Sequence, residues 1–398
     1  MSYRWRIERL IAWSLFTLAG CLPWPVANAD ADAMDTLQVH GFLSQAWLVS
    51  DDNDFFGPSS ENDGSFQYTE IGLNVSLRPL RDVLVSAQVL SRRAGDDDAS
   101  PRLDHGIVDY QAFSNARRRL GIQLGRFKNP FGFYNQTRDV AFTRPSILLP
   151  QSIYFERTRS LALAADGVSV YDEEYLADGT LRLQIGIGDP QAGDDLDETL
   201  GLGEQAGSFD GRTSYIGQIL YEDGEGHWTA ALSAADVTAR YQDSAGPIGD
   251  GRFHFQPWIL SWQYNQEHWS LTTEFALRRI ALDDFTNPRL NDVSLGQSWY
   301  VQYTRRFADE WQWLLRYDSL ANDRNDRDGS QYEADGLGPA YSRYARDVTT
   351  GLQWRIHPRV LLAAEWHNIE GTGWLPVADA EDTEKYWNLL LFQASFRF

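Results

Sequence analysis

Cysteine occurs once in the 398 residues, at Cys21, and methionine only twice. A lone thiol near the start excludes a disulfide framework and a thiolate metal centre. Long apolar runs are missing too. Beyond the first thirty residues no stretch of 18 or more consecutive apolar positions occurs, which excludes membrane-spanning helices. Positive charge is scarce, with 35 Lys and Arg against 56 Asp and Glu, a formal net charge of -21. No basic patch suited to nucleic acid is present. The seven histidines (His40, His105, His227, His254, His268, His357 and His367) are scattered. None shares a motif with a serine and an acid, so no nucleophilic catalysis is expected. The acidic stretch "DRNDRDG" (323–329) puts Arg327 where a calcium loop needs a ligand, and neither a metal nor another cofactor is expected.

Residues 1–29 read as an export signal. Arg4, Arg6 and Arg9 form a basic start, "LIAWSLFTL" is the apolar stretch, and "ANA" (Ala27 to Ala29) is a small-residue cleavage site before Asp30. A rival reading is "LAGC", ending at Cys21, which looks like the lipid-attachment signal of bacterial lipoproteins.

Alternation of apolar and polar residues runs through the rest. Thr69, Ile71, Leu73, Val75 and Leu77 interleave with Glu70, Gly72, Asn74 and Ser76. "LRLQIGIG" from Leu181, "WSLTTEFALRR" from Trp269 and "VTTGLQWRI" from Val348 repeat the pattern. A period of two is that of a strand with a different medium on each face. About sixteen such segments fit between Gln38 and Phe398.

The connections alternate as well. Short turns fall near 78–82, 114–118, 265–268, 307–310 and 357–359, with slightly longer ones near 172–179 and 221–227. Between them lie long acidic or Gly-rich stretches such as "SDDNDFFGPSSENDGS" and "ANDRNDRDGSQYEADGLGPAYSRY". Short turns at one end and long loops at the other predict an all-β fold: a transmembrane antiparallel β-barrel of about 16 strands in an outer membrane. Trp269, Trp299, Trp311, Trp354, Trp366, Tyr386 and Trp387 lie near predicted strand ends, as an interfacial girdle requires. A receptor-type plug domain has no room before the first strand.

The chain stops at "LLLFQASFRF", alternating to the last residue. Phe396 and Phe398 share its lipid-side face, and the last strand is expected to pair with the first. A terminal Phe after alternating apolar residues resembles the assembly signal of Gram-negative outer-membrane barrels. That resemblance implies the barrel-assembly machinery as a partner. The strand count resembles porins. The stretch "LGRFKNPFGFYNQTRDVAFTRPSILLPQSIYFERTRSLALAADGVSVY" (124–171) is similar in placement and style to the constriction region of the phosphate-selective porin O/P family. The resemblance implies passive diffusion of small solutes and a homotrimer, for which the small lipid-side residues Gly217, Ala230 and Ala234 offer a packing face. Acidic loops outside imply contact with lipopolysaccharide through divalent cations, and the strands imply contact with membrane lipid.

Residues 127–160 form the longest connection and differ from the others. They carry Pro130, Pro145 and Pro150 and the apolar run "SILLPQSIYF", which suits a segment folded against a wall rather than a solvated loop. Lys128, Arg138, Arg144, Arg157 and Arg159 stand against only Asp139 and Glu156. An inward fold would place these bases at the narrow point of a wide barrel, where they would favour anions such as phosphate or carboxylates. Strand parity assigns Arg92, Arg182, Arg278, Arg306, Arg316, Arg355 and Arg397 to the lumen wall, with Glu70, Asp109, Glu274, Asp318 and Glu365 opposing them. Two other classes stay open at this point: a non-conducting surface or adhesin barrel, and a barrel enzyme.

Overall fold

A computed structural model describes residues 36–398, apart from 62, 96–98, 157, 193–195, 197–206, 244–245, 247, 289 and 376–382. The expectations for the signal segment, for Cys21 and for Arg157 lie outside the described residues.

Sixteen antiparallel strands close into one barrel, each paired with its neighbours in sequence and β1 with β16. They are β1 (Gln38–Ser50), β2 (Ser65–Leu80), β3 (Val83–Ala94), β4 (Arg102–Ser114), β5 (Arg118–Lys128), β6 (Ala164–Leu176), β7 (Gly179–Pro190) and β8 (Ser208–Asp223). There follow β9 (Trp228–Gln242), β10 (Gly251–Asn265), β11 (Trp269–Asp283), β12 (Asp292–Phe307), β13 (Trp311–Ala321), β14 (Tyr344–His357), β15 (Val360–Glu370) and β16 (Tyr386–Arg397). Closure removes the sheet edges that hydrocarbon cannot hydrate. It is completed at the last residue, where Gly41 and Phe398 exchange backbone hydrogen bonds of 3.2 and 3.0 Å.

The connections at the end where β1 begins and β16 finishes are tight. Two residues, 81–82, join β2 to β3, and three, 308–310, join β12 to β13. Connections at the other end are long, among them 51–64, 322–343 and 371–385.

The outer face is apolar. Ile185, Leu260, Trp258, Tyr215 and Ile219 are each more than half exposed, a belt that water would not tolerate and lipid requires. Aromatic rings line the short-turn rim from β9 to β14: Trp228–Tyr264 at 4.5 Å, Tyr264–Trp269 at 5.5 Å, Trp269–Tyr303 at 6.0 Å and Trp311–Trp354 at 5.0 Å. Trp387 departs from the girdle expectation. It is buried inside, its indole N–H donating to Gly371 O at 3.1 Å.

The inner face of β16 is equally apolar where Leu389 and Leu391 meet Ile147 and Leu148 in one buried cluster with Trp374 and Leu48. Two apolar faces on one strand mean that the barrel has contents at this level. Those contents are residues 129–158, which leave the end of β5 and turn into the lumen. The chain rejoins the wall through one short helix, α1 (Arg159–Leu163), that leads directly into β6.

Candidate functional site

The inward segment crosses the barrel and is tied to the wall on nearly every side. Its backbone is held by carboxylates that project inward from the strands. Glu365 of β15 accepts from Ile147 N at 2.6 Å and Leu148 N at 3.0 Å. Asp318 of β13 accepts from Ser152 N at 3.2 Å, and Glu274 of β11 from Phe133 N at 3.0 Å. Glu274 also accepts the hydroxyls of Tyr154 at 2.7 Å, Tyr300 at 2.8 Å and Ser261 at 2.5 Å. Burial pushes the Tyr154 hydroxyl well up, so it remains a donor at any ordinary pH. Gly132 sits where no other residue fits. Its φ is +60°, and a Cβ there would fall on the Tyr154 hydroxyl and the Glu274 carboxylate. The wall acids that parity assigns to the lumen therefore serve mostly as seats for the segment, a use the sequence does not reveal.

The described basic residues in and beside the segment have partners too. Arg144 pairs with Glu70 of β2 at 2.8 Å, Arg138 with Glu156 at 2.7 Å, and Lys128 with Asp104 of β4 at 2.7 Å as well as with Asp139. Arg159 meets Asp139, Glu156 at 3.3 Å and Glu70 at 3.8 Å. Arg92, from β3, completes the set against Glu156 at 2.5 Å and Glu70 at 3.6 Å. Among the described residues five cations thus face four carboxylates, and all of these arginines are almost wholly buried. An unpaired buried charge would be far costlier than a paired one, so the network holds together as a unit. Burial would raise the Glu156 carboxyl, yet Arg138, Arg92 and Arg159 hold it well below the usual carboxylate range. Burial pushes Arg138 down to about 10, which still leaves it charged at neutral pH.

This arrangement alters the expected picture of free cations at a narrow point. Lys128, Arg138, Arg144 and Arg159 do converge with Arg92, but as an ion-paired latch between segment and wall, with one positive charge in excess. Arg278 and Arg316 are buried as well. Arg278 donates to Ser152 O at 3.1 Å, and Arg316 to Ser146 Oγ at 3.1 Å and Leu148 O at 3.2 Å. Arg182 is partly exposed, 3.8 Å from Glu173. Arg355 is exposed toward the short-turn end of β14. Phe396 and Phe398 point outward, 43% and 57% exposed.

The sequence reading missed Asp104, the second wall carboxylate in the latch beside Glu70, because the register of β3 against β4 shifts between Gln88 and Val89 and breaks simple parity. It also missed Asp347 and His367, which meet at 3.0 Å on adjacent strands with Thr349 3.2 Å from the ring. Both are fully buried beneath the segment, where His367 lies 3.5 Å from Glu365 and supports that seat.

Among the described residues the segment leaves a cavity of about 200 Å³ against β3, β4 and β5. Gln88, His105 and Gln123 line its wall side, while Gln136, Thr137 and Asp139 line its segment side.

No protein-family model matches the sequence, and no curated relative does. Solved structures match in fold. An anion-selective porin from Comamonas acidovorans superposes with a TM-score of 0.57 at 12% identity, over 91% of this chain and 99% of that one. The outer membrane channel DcaP of Acinetobacter baumannii gives 0.57 at 12%, over 91% and 97%. OmpT, an outer membrane protein of Vibrio cholerae in its trimer form, gives 0.54 at 11%, over 91% and 99%. The finer likeness to the phosphate-selective porin O/P family rests on residues 124–171 alone. At these identities the likeness is one of architecture: the chain has the closed sixteen-stranded fold of outer-membrane porins.

Proposed function

We propose that this barrel is a passive channel for small hydrophilic solutes in the outer membrane of a Gram-negative bacterium, with its passage set by residues 129–158. The observation that carries this reading is the inward segment itself. A barrel of sixteen strands is wide enough to leave an aqueous channel, and here one connection crosses it and leaves a cavity at its flank. The long acidic loops face the cell exterior and lipopolysaccharide, the short turns face the periplasm, and the chain is a client of the barrel-assembly machinery through Phe398.

A modest lean toward anions belongs to the same reading, but it comes from the wall and not from the latch. Arg306, Arg355 and Arg397 lie on the inward face of β12, β14 and β16 near the short-turn end, and none has a carboxylate partner within ion-pair distance among the described residues. Arg306 donates to Gln266 O at 2.6 Å, and Arg397 lies 4.3 Å from the Phe142 ring on the underside of the segment. Cations gathered at one mouth attract anions over about a Debye length, ~8 Å at physiological salt. Assembly as a homotrimer is proposed on the porin fold and on the outward pair Gly217 and Ala234, matched across β8 and β9. Light scattering in mild detergent giving one chain per particle would overturn it.

A second reading is a barrel closed by its own segment that acts at the cell surface, and the extent of the anchoring favours it. Single-channel recording in a planar bilayer separates the two. Stepwise ohmic currents support the channel, and silent insertion of folded barrels supports the closed form.

A further inference from the structure

The lining of the 200 Å³ cavity has a chemistry that the charge count conceals. Each of its amide nitrogens already donates one hydrogen bond. Gln88 Nε2 donates to Asp104 at 2.7 Å, Gln123 Nε2 to Asp109 at 3.0 Å, and Gln136 Nε2 to Gln184 Oε1 at 3.3 Å. His105 Nε2 is engaged by Asn74 and Ser86, each at 3.3 Å, and its Nδ1 lies 3.5 Å from Asp104. Among the described residues none of the three glutamine carbonyl oxygens has a hydrogen-bond donor. The cavity therefore presents fixed acceptors, each amide oriented by the bond its nitrogen makes.

Charge at this spot is balanced. Lys128 and Arg159 are paired with Asp104 and Asp139, two cations against two carboxylates. An anion finds few open donors here, and a cation meets the Lys128 ammonium on the same lining. A neutral solute rich in hydroxyl donors satisfies the three oxygens without disturbing the pairs. The volume equals the share of roughly six or seven waters and falls below the ~300 Å³ of sites for drug-sized ligands. Ile107, Val140 and the carbon atoms of the other side chains give the lining more apolar than polar surface, against which carbon–hydrogen faces can rest.

We infer that this cavity is a subsite for a neutral polyhydroxylated solute of polyol or monosaccharide size, formed jointly by the wall at β3–β5 and residues 136–140 of the crossing segment. The inference rests on the channel reading and deepens it, by naming the solute class that pauses at the narrow point.

The test uses the purified full barrel in a planar bilayer, with sorbitol as probe and triethylene glycol, which has acceptors but no internal donors, as comparison. Sorbitol is expected to reduce single-channel conductance saturably, beyond its viscosity effect, whereas triethylene glycol and choline follow viscosity alone. Gln136→Ala removes one acceptor and is expected to weaken the sorbitol effect about five-fold. Conductance falling linearly with sorbitol, as with triethylene glycol, would overturn the subsite. So would a stronger effect from choline. If Gln136→Ala fails to fold, as read by the loss of a heat-modifiable band, the wild-type comparison of the probes still decides. A barrel that shows no current sinks the channel reading separately. Equilibrium dialysis of sorbitol against the detergent-solubilised protein then decides the subsite, with saturable binding supporting it and no binding overturning it.

Discussion

Glu156 is the residue on which most of the latch converges. Its carboxylate receives Arg92, Arg138 and Arg159 together. Replacing it leaves three buried cations short of a partner, and breaking a buried pair in this way costs about 3–5 kcal/mol. Glu156→Gln keeps the shape and removes the charge, so the loss in thermal stability reads the ionic part. Because its folded carboxyl lies below the unfolded value, its contribution is complete above the ordinary carboxylate pKa of about 4.3. The contribution is then lost as pH falls toward the folded value. The gap in melting temperature between wild type and Glu156→Gln should therefore hold from pH 7 to about 5 and narrow only below that range. Narrowing already between pH 7 and 5 would show that the carboxylate is not held as described. Gly132 offers a second residue-scale test. Gly132→Ala meets both a left-handed backbone, costing roughly 1–2 kcal/mol, and the atoms of Tyr154 and Glu274. A noisier channel and a lower melting temperature are expected, and an unchanged recording would contradict the seating at Glu274.

Elements were legible where a single physical rule decides them. The period of two marks every strand because each faces lipid on one side, and the turns are short wherever the chain only reverses at the rim. Rules failed where tertiary contents intervene. Parity along β16 correctly sets Leu389 and Leu391 opposite the lipid-side Phe396 and Phe398, but their apolar character gives no sign that Ile147 and Leu148 pack on them from inside. The bases of 127–160 were legible as a cluster near the wall, but their ion pairing was not. Asp139 and Glu156 lie within the segment, but the wall carboxylates that pair with it or seat it come from β2, β4, β11, β13 and β15, and the register shift near Gln88 hides Asp104. The turn between β12 and β13 carries a local prediction. Ala308 and Asp309 hold φ of 50° and 54°, the left-handed pair that a tight hairpin requires and that Asn-Gly adopts most readily. Ala308→Asn with Asp309→Gly should raise stability by about 1 kcal/mol, measured as a shift in the denaturation midpoint. A fall would mean that these side chains do more than turn the chain.

At the scale of the whole molecule, acids crowd the long loops and ion pairs fill the latch, while at the short-turn mouth Arg306, Arg355 and Arg397 have no carboxylate partner among the described residues, although acids such as Glu267 and Glu310 lie in the nearby turns. Reversal potentials in a salt gradient should show a modest preference for chloride over potassium. Arg355→Ala with Arg397→Ala should reduce it, while Arg144→Ala should chiefly loosen the segment. Clear cation selectivity in the wild type would contradict the role given to that mouth. The central claim is that residues 129–158 set the passage. Its most direct test is single-channel conductance of the wild type beside a variant in which residues 131–156 are replaced by a short Gly-Ser link. With the segment removed the bore should approach that of an open sixteen-stranded barrel, so the expected result is a several-fold larger conductance from a barrel that still folds and resists heat. Equal conductance from the two proteins would contradict the claim and place the narrow point elsewhere.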